Sequence, residues 1–120
     1  MSFRSAPLTV PAPAEVKESL LDAEIRAAID SQVAKYPAEW KQSAVMAALT
    51  LVQDWNGGWL SPDLMDAVAT YLDMPPVAVY EVATFYNMYD LEPTAKHKVC
   101  VCNSISCLLN GSEELIAHVE

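Results

Sequence analysis

Three cysteines lie within eight residues of the 120-residue chain, at positions 100, 102 and 107. Cysteine thiolates are soft ligands that suit Fe–S clusters, Zn and Cu(I). Cys102 and Cys107 have the C-x4-C spacing. A loop of that length can turn both thiolates towards one iron, while its backbone N–H groups donate to the sulfurs. Cys102 and Cys107 are therefore the candidate metal- and cofactor-binding residues.

A lone C-x4-C spacing is a weak signal, so other interpretations of the cysteines stay open. Cys100 is interpreted as a core residue, because free cysteine is commonly buried. A zinc or thiol site could combine the three cysteines with His97 or His118, although a closed zinc site needs four ligands; we otherwise interpret both histidines as surface residues. A thioredoxin-type dithiol needs C-x-x-C, which is absent, and plant-type ferredoxin spacing fails at Asn110.

Composition excludes several classes of function. The net charge is −9, with 16 acidic and 7 basic side chains, so the clustered Lys/Arg that nucleic-acid binding requires is missing. Apolar residues make up 52% of the chain, which is enough for a hydrophobic core. The best apolar run, 44–52, is far shorter than the roughly 20 residues of a membrane span. Without an apolar leader at the start, we expect a cytoplasmic protein with reduced thiols.

The cysteines must be positioned by a largely helical chain. Residues 1–14 are predicted to be a flexible Pro-rich arm and 15–92 a helical bundle. Four helices are predicted, over 15–35, 43–54, 61–72 and 77–89. Asp22 is a possible internal cap, and Ser61-Pro62-Asp63 is a strong helix start. In the fourth helix Phe85, Tyr86 and Tyr89 are interpreted as core residues, because aromatic residues at helical spacing are usually buried.

The pattern changes in 93–120. Alternating valines predict a strand over 98–102, followed by a loop at 103–106 and a helix that opens at 110–114. A single strand leaves its N–H and C=O groups unpaired, and no second convincing strand is visible. We therefore expect this module to continue beyond Glu120 or to pair with another chain.

Two stretches carry a resemblance to a known family. The run 75–86, PPVAVYEVATFY, closely resembles the V-x-E-V-A-T-F-Y signature of the E subunit of NADH-quinone oxidoreductase, a family of thioredoxin-like 2Fe-2S proteins. The run 96–111, KHKVCVCNSISCLLNG, is similar to the first cluster loop of that family. Residues 43–52 and 57–62 match as well, so the resemblance extends from about Asp22 to the end of the chain.

The resemblance implies an α+β fold. An N-terminal four-helix bundle would precede an incomplete thioredoxin-like (α/β) ferredoxin domain, of which 93–120 supply the first strand, the cluster loop and the first helix. Four cysteines would hold a 2Fe-2S cluster. Cys102 and Cys107 match the first pair, whereas Cys100 matches no ligand position. The second pair, a C-x3-C, is expected within a few tens of residues beyond Glu120, so half of the ligands lie in this chain.

The implied function is electron transfer in the NADH dehydrogenase module of respiratory complex I. The cluster would accept an electron from FMN on the partner subunit that binds FMN and NADH, next to other hydrophilic-arm subunits. The protein would lie in the cytoplasm, peripheral to the inner membrane through the complex. No independent catalytic acid, base or nucleophile is expected, and Glu81 is interpreted as a solvated helix carboxylate. The alternatives are the same module in an NAD-linked formate dehydrogenase or hydrogenase, and a cluster-free docking module.

Overall fold

A computed structural model describes residues 20–120, so the predicted arm at 1–14 and the first residues of the helix predicted over 15–35 lie outside the described part. The described residues form six α-helices and one 3₁₀ helix. In chain order these are α1 (Ala23–Val33), the 3₁₀ helix (Ala38–Ala44), α2 (Val45–Trp55), α3 (Pro62–Tyr71), α4 (Pro76–Phe85), α5 (Ile105–Leu109) and α6 (Ser112–Val119).

Helices α1 to α4 pack around one hydrophobic core. Each carries apolar residues three or four positions apart, which gives it one apolar face. Ile29, Leu49, Val68 and Val79, one from each helix, are completely buried. Burying a side chain of this size stabilises a fold by about 1.5–3 kcal/mol. Helices of ten or eleven residues are marginal in isolation, so this shared core is what holds them.

The predicted start of the third helix is confirmed. Ser61 is the N-cap of α3, and its hydroxyl accepts a hydrogen bond from the Leu64 N–H at 3.3 Å. Pro62 occupies the first helical turn, together with Asp63. The cap of α1 differs from its prediction, because Asp22 stands at the N-cap position but makes no side-chain capping hydrogen bond. The entry to α3 is therefore fixed locally by sequence, whereas that of α1 depends on packing.

Helix α4 is tied to α3 through a phenol. The Tyr80 hydroxyl donates to the Pro62 carbonyl at 3.3 Å. Burial raises the pKa of Tyr80 to about 12, and a hydrogen bond to Asp66 adds to the shift. The phenol thus stays protonated and keeps its donor at any physiological pH.

Several predicted helix boundaries and two predicted burials are wrong; helix α1, for example, begins only at Ala23, although residues 20–22 are described. Residues 38–44 form a 3₁₀ helix, so α2 begins at Val45 instead of 43. Helix α4 ends at Phe85, four residues before its predicted end, and Tyr86 leaves it in an extended conformation. Phe85 lies on the outward face of α4 and is 80% exposed, Tyr86 beyond the helix end is also exposed, and Tyr89 is buried as predicted.

The chain that leaves α4 is held against the helical core. The Tyr89 hydroxyl donates to the Met46 carbonyl at 3.0 Å. Gln53 brackets this segment: its side-chain amide donates to the Met88 carbonyl at 3.1 Å and accepts from the Asp90 N–H at 2.9 Å. The Leu60 N–H donates to the Asp90 carbonyl at 2.7 Å. Residues 88–90 therefore fix where the cysteine-bearing segment begins.

The strand predicted over 98–102 is not formed. Those residues belong to no helix or strand, and residues 20–120 as a whole contain no strand. The reason is that a strand exists only by pairing, and backbone hydrogen bonds to Val99, Cys100 or Val101 are absent from the described residues. The predicted loop at 103–106 is also shorter than expected, because α5 begins inside it. Within the described residues the fold is helical, with no observed β component.

Helices α5 and α6 pack on each other, and they do not pack on any of the helices α1 to α4. An ion pair between Lys98 and Asp90 connects the C-terminal segment to the helical part. Among residues 20–120, none of the helices is both long and apolar enough to cross a membrane.

The Ser61 cap can be tested by Ser61→Ala. We expect a loss of about 1 kcal/mol in the free energy of unfolding, because the Leu64 N–H loses its acceptor. Urea denaturation followed by circular dichroism measures it. The control is Ser43→Ala, an exposed serine of the 3₁₀ helix, which should change stability by less than about 0.5 kcal/mol. Equal effects of the two substitutions would contradict the capping role.

Amide hydrogen exchange should divide the chain in two. Residues 96–120 should exchange faster than α2 and α3, because their backbone is less hydrogen-bonded and their helices bury little apolar surface. Exchange followed by mass spectrometry of peptic fragments measures this. Equal protection in both parts would contradict the prediction.

Candidate metal centre

A short turn brings the two candidate ligands together. Cys102 ends the irregular segment 98–102, Ser104 is the N-cap of α5, and Cys107 is the third residue of that helix. Cys102 is exposed and Cys107 is half-buried. The chain from Cys102 to Cys107 thus folds back on itself, as a C-x4-C loop around one metal ion would require.

The environment of Cys102 favours its thiolate. The Ser104 hydroxyl lies 3.2 Å from Cys102 Sγ, where it can donate to the ionised sulfur. This hydrogen bond lowers the pKa of Cys102 to about 7, with smaller contributions from the Ser104 backbone N–H and the Cys107 thiol. A thiolate is the form of cysteine that binds metals and attacks electrophiles. The turn is therefore built to present an anionic sulfur.

Cys100 takes no part in this pair. It is exposed, so its interpretation as a core residue is wrong. The reason is that burial of Cys100 requires the strand that the described chain does not form. Both histidines, His97 and His118, are exposed, as predicted, and so is the Glu81 carboxylate.

The described part of the chain gives no support to a zinc site of three cysteines. Within residues 20–120, no three side chains of His, Cys, Asp or Glu are grouped closely enough to hold a metal ion. The donor set that this part of the chain brings together is the pair Cys102 and Cys107.

A groove of about 580 Å³ runs beside the pair, between residues 99–102 and α6. Both cysteines line it together with apolar side chains, among them Leu115 and Val119, which are each about half exposed. Ser112, the first residue of α6, also lines the groove; it is buried, and its hydroxyl has no hydrogen-bond partner among the described residues. The sequence analysis did not single out Ser112 as a residue beside the cysteines. Its position directly after Gly111, at a helix start that follows Cys107 closely, could have indicated it.

The comparisons with known proteins agree on one family. The family model that matches residues 29–120 is described as thioredoxin-like [2Fe-2S] ferredoxin. The E subunit of NADH-quinone oxidoreductase from Rickettsia bellii (strain RML369-C) is 44% identical over 84 residues, which are 70% of this chain and 50% of the relative. The same subunit from Rickettsia prowazekii (strain Madrid E) is 44% identical over 88 residues, which are 73% of this chain and again 50% of the relative.

A eukaryotic relative matches as well. NADH dehydrogenase [ubiquinone] flavoprotein 2, mitochondrial, of Dictyostelium discoideum is 41% identical over 88 residues, which are 73% of this chain and 36% of the relative. The chain thus spans about half the length of the bacterial relatives that it matches, and less of this one.

The effect of Ser104 on Cys102 can be measured in the cluster-free chain. Alkylation by iodoacetamide, resolved by site with mass spectrometry, should show Cys102 half ionised near a pH of about 7. With Ser104→Ala the midpoint should move to higher pH, because the thiolate loses its strongest hydrogen bond. Ser106→Ala, which removes another hydroxyl of the same turn, is the control and should leave the midpoint in place. A midpoint unmoved by Ser104→Ala would contradict the assignment.

Proposed function

The chain belongs to the thioredoxin-like [2Fe-2S] ferredoxin family, and from that premise we propose that Cys102 and Cys107 bind one iron of a 2Fe-2S cluster in an electron-transfer protein of the NADH dehydrogenase module of respiratory complex I. The observation that carries the proposal is the turn that brings these two thiols together and stabilises one of them as a thiolate. The relatives named as components of NADH dehydrogenases support the module.

The donor set fits half of such a cluster. A 2Fe-2S cluster of this type needs four thiolates, two for each iron. Cys102 and Cys107 supply one pair, and Cys100 is the one cysteine that remains in these 120 residues. The second pair is proposed to come from sequence outside this chain, which fits the half-length match to the bacterial relatives.

The residues of the turn would tune the cluster. When bound, the cluster supplies a one-electron acceptor, proposed to be reduced by FMN on the partner subunit. The hydroxyl and N–H of Ser104 donate to the Cys102 sulfur and thereby stabilise negative charge on it. Hydrogen bonds of this kind raise a reduction potential. No side chain has to move a proton in this step.

The groove supports a larger fold. Val99 is 74% exposed, and Leu115 and Val119 present apolar surface to the same groove. We propose that the remaining sheet of a thioredoxin-like domain covers them and pairs with 98–102, so that the complete protein is α+β with an N-terminal four-helix bundle. The proposed domains are 15–92 for the bundle and 93–120 for the start of the ferredoxin domain.

A second candidate is a docking module without a cluster. One observation favours it: Phe85 is 80% exposed on a helix remote in sequence from the cysteines. In that case the helical part would bind a partner subunit of the same module, and the thiols would be inert.

The test is anaerobic cluster reconstitution of the complete polypeptide that contains this chain. The wild-type protein should show the visible absorption and reduced EPR signal of a 2Fe-2S cluster. Cys102→Ala and Cys107→Ala should each abolish both, because an iron loses a ligand. Cys100→Ala is the matched control and should keep them. An iron-free wild-type protein would contradict the cluster proposal and favour the docking module. Stoichiometric zinc would favour a zinc site.

A further inference from the structure

Helix α4 carries an apolar stripe that faces solvent. Val77, Glu81 and Phe85 are four residues apart and so share one face of the helix. Val77 is 63% exposed and Phe85 is 80% exposed, whereas Val79 and Ala83 face the core and are buried. We name Val77, Glu81, Phe85 and the adjoining Tyr86 the α4 stripe. A groove of about 450 Å³ opens beside Glu81, Phe85 and Tyr86.

The aromatic end of the stripe is held in place. The rings of Phe85 and Tyr86 lie edge to face, with centroids 5.0 Å apart and planes at 85°. Directly after them, Tyr89 is buried and the Gln53 side chain hydrogen-bonds to residues 88 and 90. A surface that is already ordered loses little conformational entropy on binding. The backbone next to these two rings is therefore ordered, and aromatic residues are enriched among interface hot spots.

Helix α4 packs on α2 and α3, and the charge on these three helices has one sign. Residues 45–95, which include α2, α3 and α4, contain seven acidic residues and no Lys or Arg. They are Asp54, Asp63, Asp66, Asp73, Glu81, Asp90 and Glu92. The described basic residues lie on either side of this range, in 26–41 and at positions 96 and 98. These three helices therefore carry only negative charge, with Glu81 in the stripe itself, and so they favour a positively charged partner.

We propose that the α4 stripe is a docking surface for a protein whose contact face has an apolar pocket for Phe85 and a rim of Lys and Arg opposite Glu81. A second copy of this chain does not fit, because two acidic surfaces repel each other. The chemistry of the partner follows from the stripe and its charge. Its identity as the FMN-binding subunit of the same module rests on the proposed function.

The experiment measures binding of the complete polypeptide to the purified FMN-binding subunit by biolayer interferometry. Phe85→Ser should weaken binding about 30-fold, as loss of a central aromatic hot spot does. Glu81→Lys should weaken it about tenfold and reduce the dependence on salt, because it places a positive charge opposite the basic rim. Circular dichroism should show both variants folded, since these side chains are exposed.

Two control variants carry the same chemical changes elsewhere. Trp40→Ser removes an aromatic side chain that is 62% exposed in the 3₁₀ helix. Glu39→Lys changes the net charge by the same amount as Glu81→Lys, on the side of the chain that bears Lys35 and Lys41. Both controls should bind within about twofold of wild type. Glu81→Lys and its control Glu39→Lys replace no apolar side chain. Comparing these two variants therefore tests the stripe even if Phe85→Ser proves unstable.

The outcomes separate this inference from the proposed function. If the wild type binds and both stripe variants bind equally well, the stripe is not the docking surface, although the partner is correct. The same conclusion follows if the controls lose as much binding as the stripe variants. If the wild type does not bind, both the stripe and the FMN-binding partner are overturned. The spectra from cluster reconstitution test the cluster independently of this result. Concentration-dependent dimerisation in sedimentation, abolished by Phe85→Ser with binding to the FMN-binding partner intact, assigns the stripe to a second copy and overturns the proposal.

Discussion

The attachment of residues 89 and 90 to the helical core is the constraint on which the arrangement of the chain depends. Tyr89 is buried and donates to the Met46 carbonyl, and Asp90 uses its N–H, its carbonyl and its carboxylate in three separate contacts. The carboxylate pairs with Lys98, four residues before Cys102. On one side this attachment lies directly after the end of α4. On the other it fixes the origin of the segment that carries the thiols.

The two halves of the described chain differ in how they are held. Helices α1 to α4 share a core of completely buried aliphatic side chains, so each helix is stabilised by the others. Helices α5 and α6 have only each other, and they leave Leu109 and Val119 exposed. The cysteine turn is nevertheless organised, because its hydrogen bonds to Cys102 Sγ come from Ser104, two residues away. Local contacts therefore build the thiol pair, while the apolar surface beside it stays uncovered by the described residues.

The fold has two separate surfaces, and a different role is proposed for each. The thiol pair is proposed to bind iron and needs electron density close to sulfur, which the hydroxyl and N–H of Ser104 adjust. The α4 stripe is proposed to bind a partner and needs exposed aromatic area within an acidic field. The proposed electron carrier would have to be held near its donor, and a helical part with the proposed docking face would serve that need beside a small cluster module.

The sequence by itself determined the features that depend on neighbours along the chain. The Ser61 cap, the end of α2 at Asn56-Gly57-Gly58 and the C-x4-C pair all follow from residue types within a few positions, and so does the family resemblance of 75–86. Only the tertiary structure decided that Phe85 faces solvent, because helical spacing alone does not say which stripe of α4 meets the core. It also decided the state of 98–102: valine alternation expresses a preference for pairing, but a strand forms only where a second strand supplies the hydrogen bonds, and the described residues supply none.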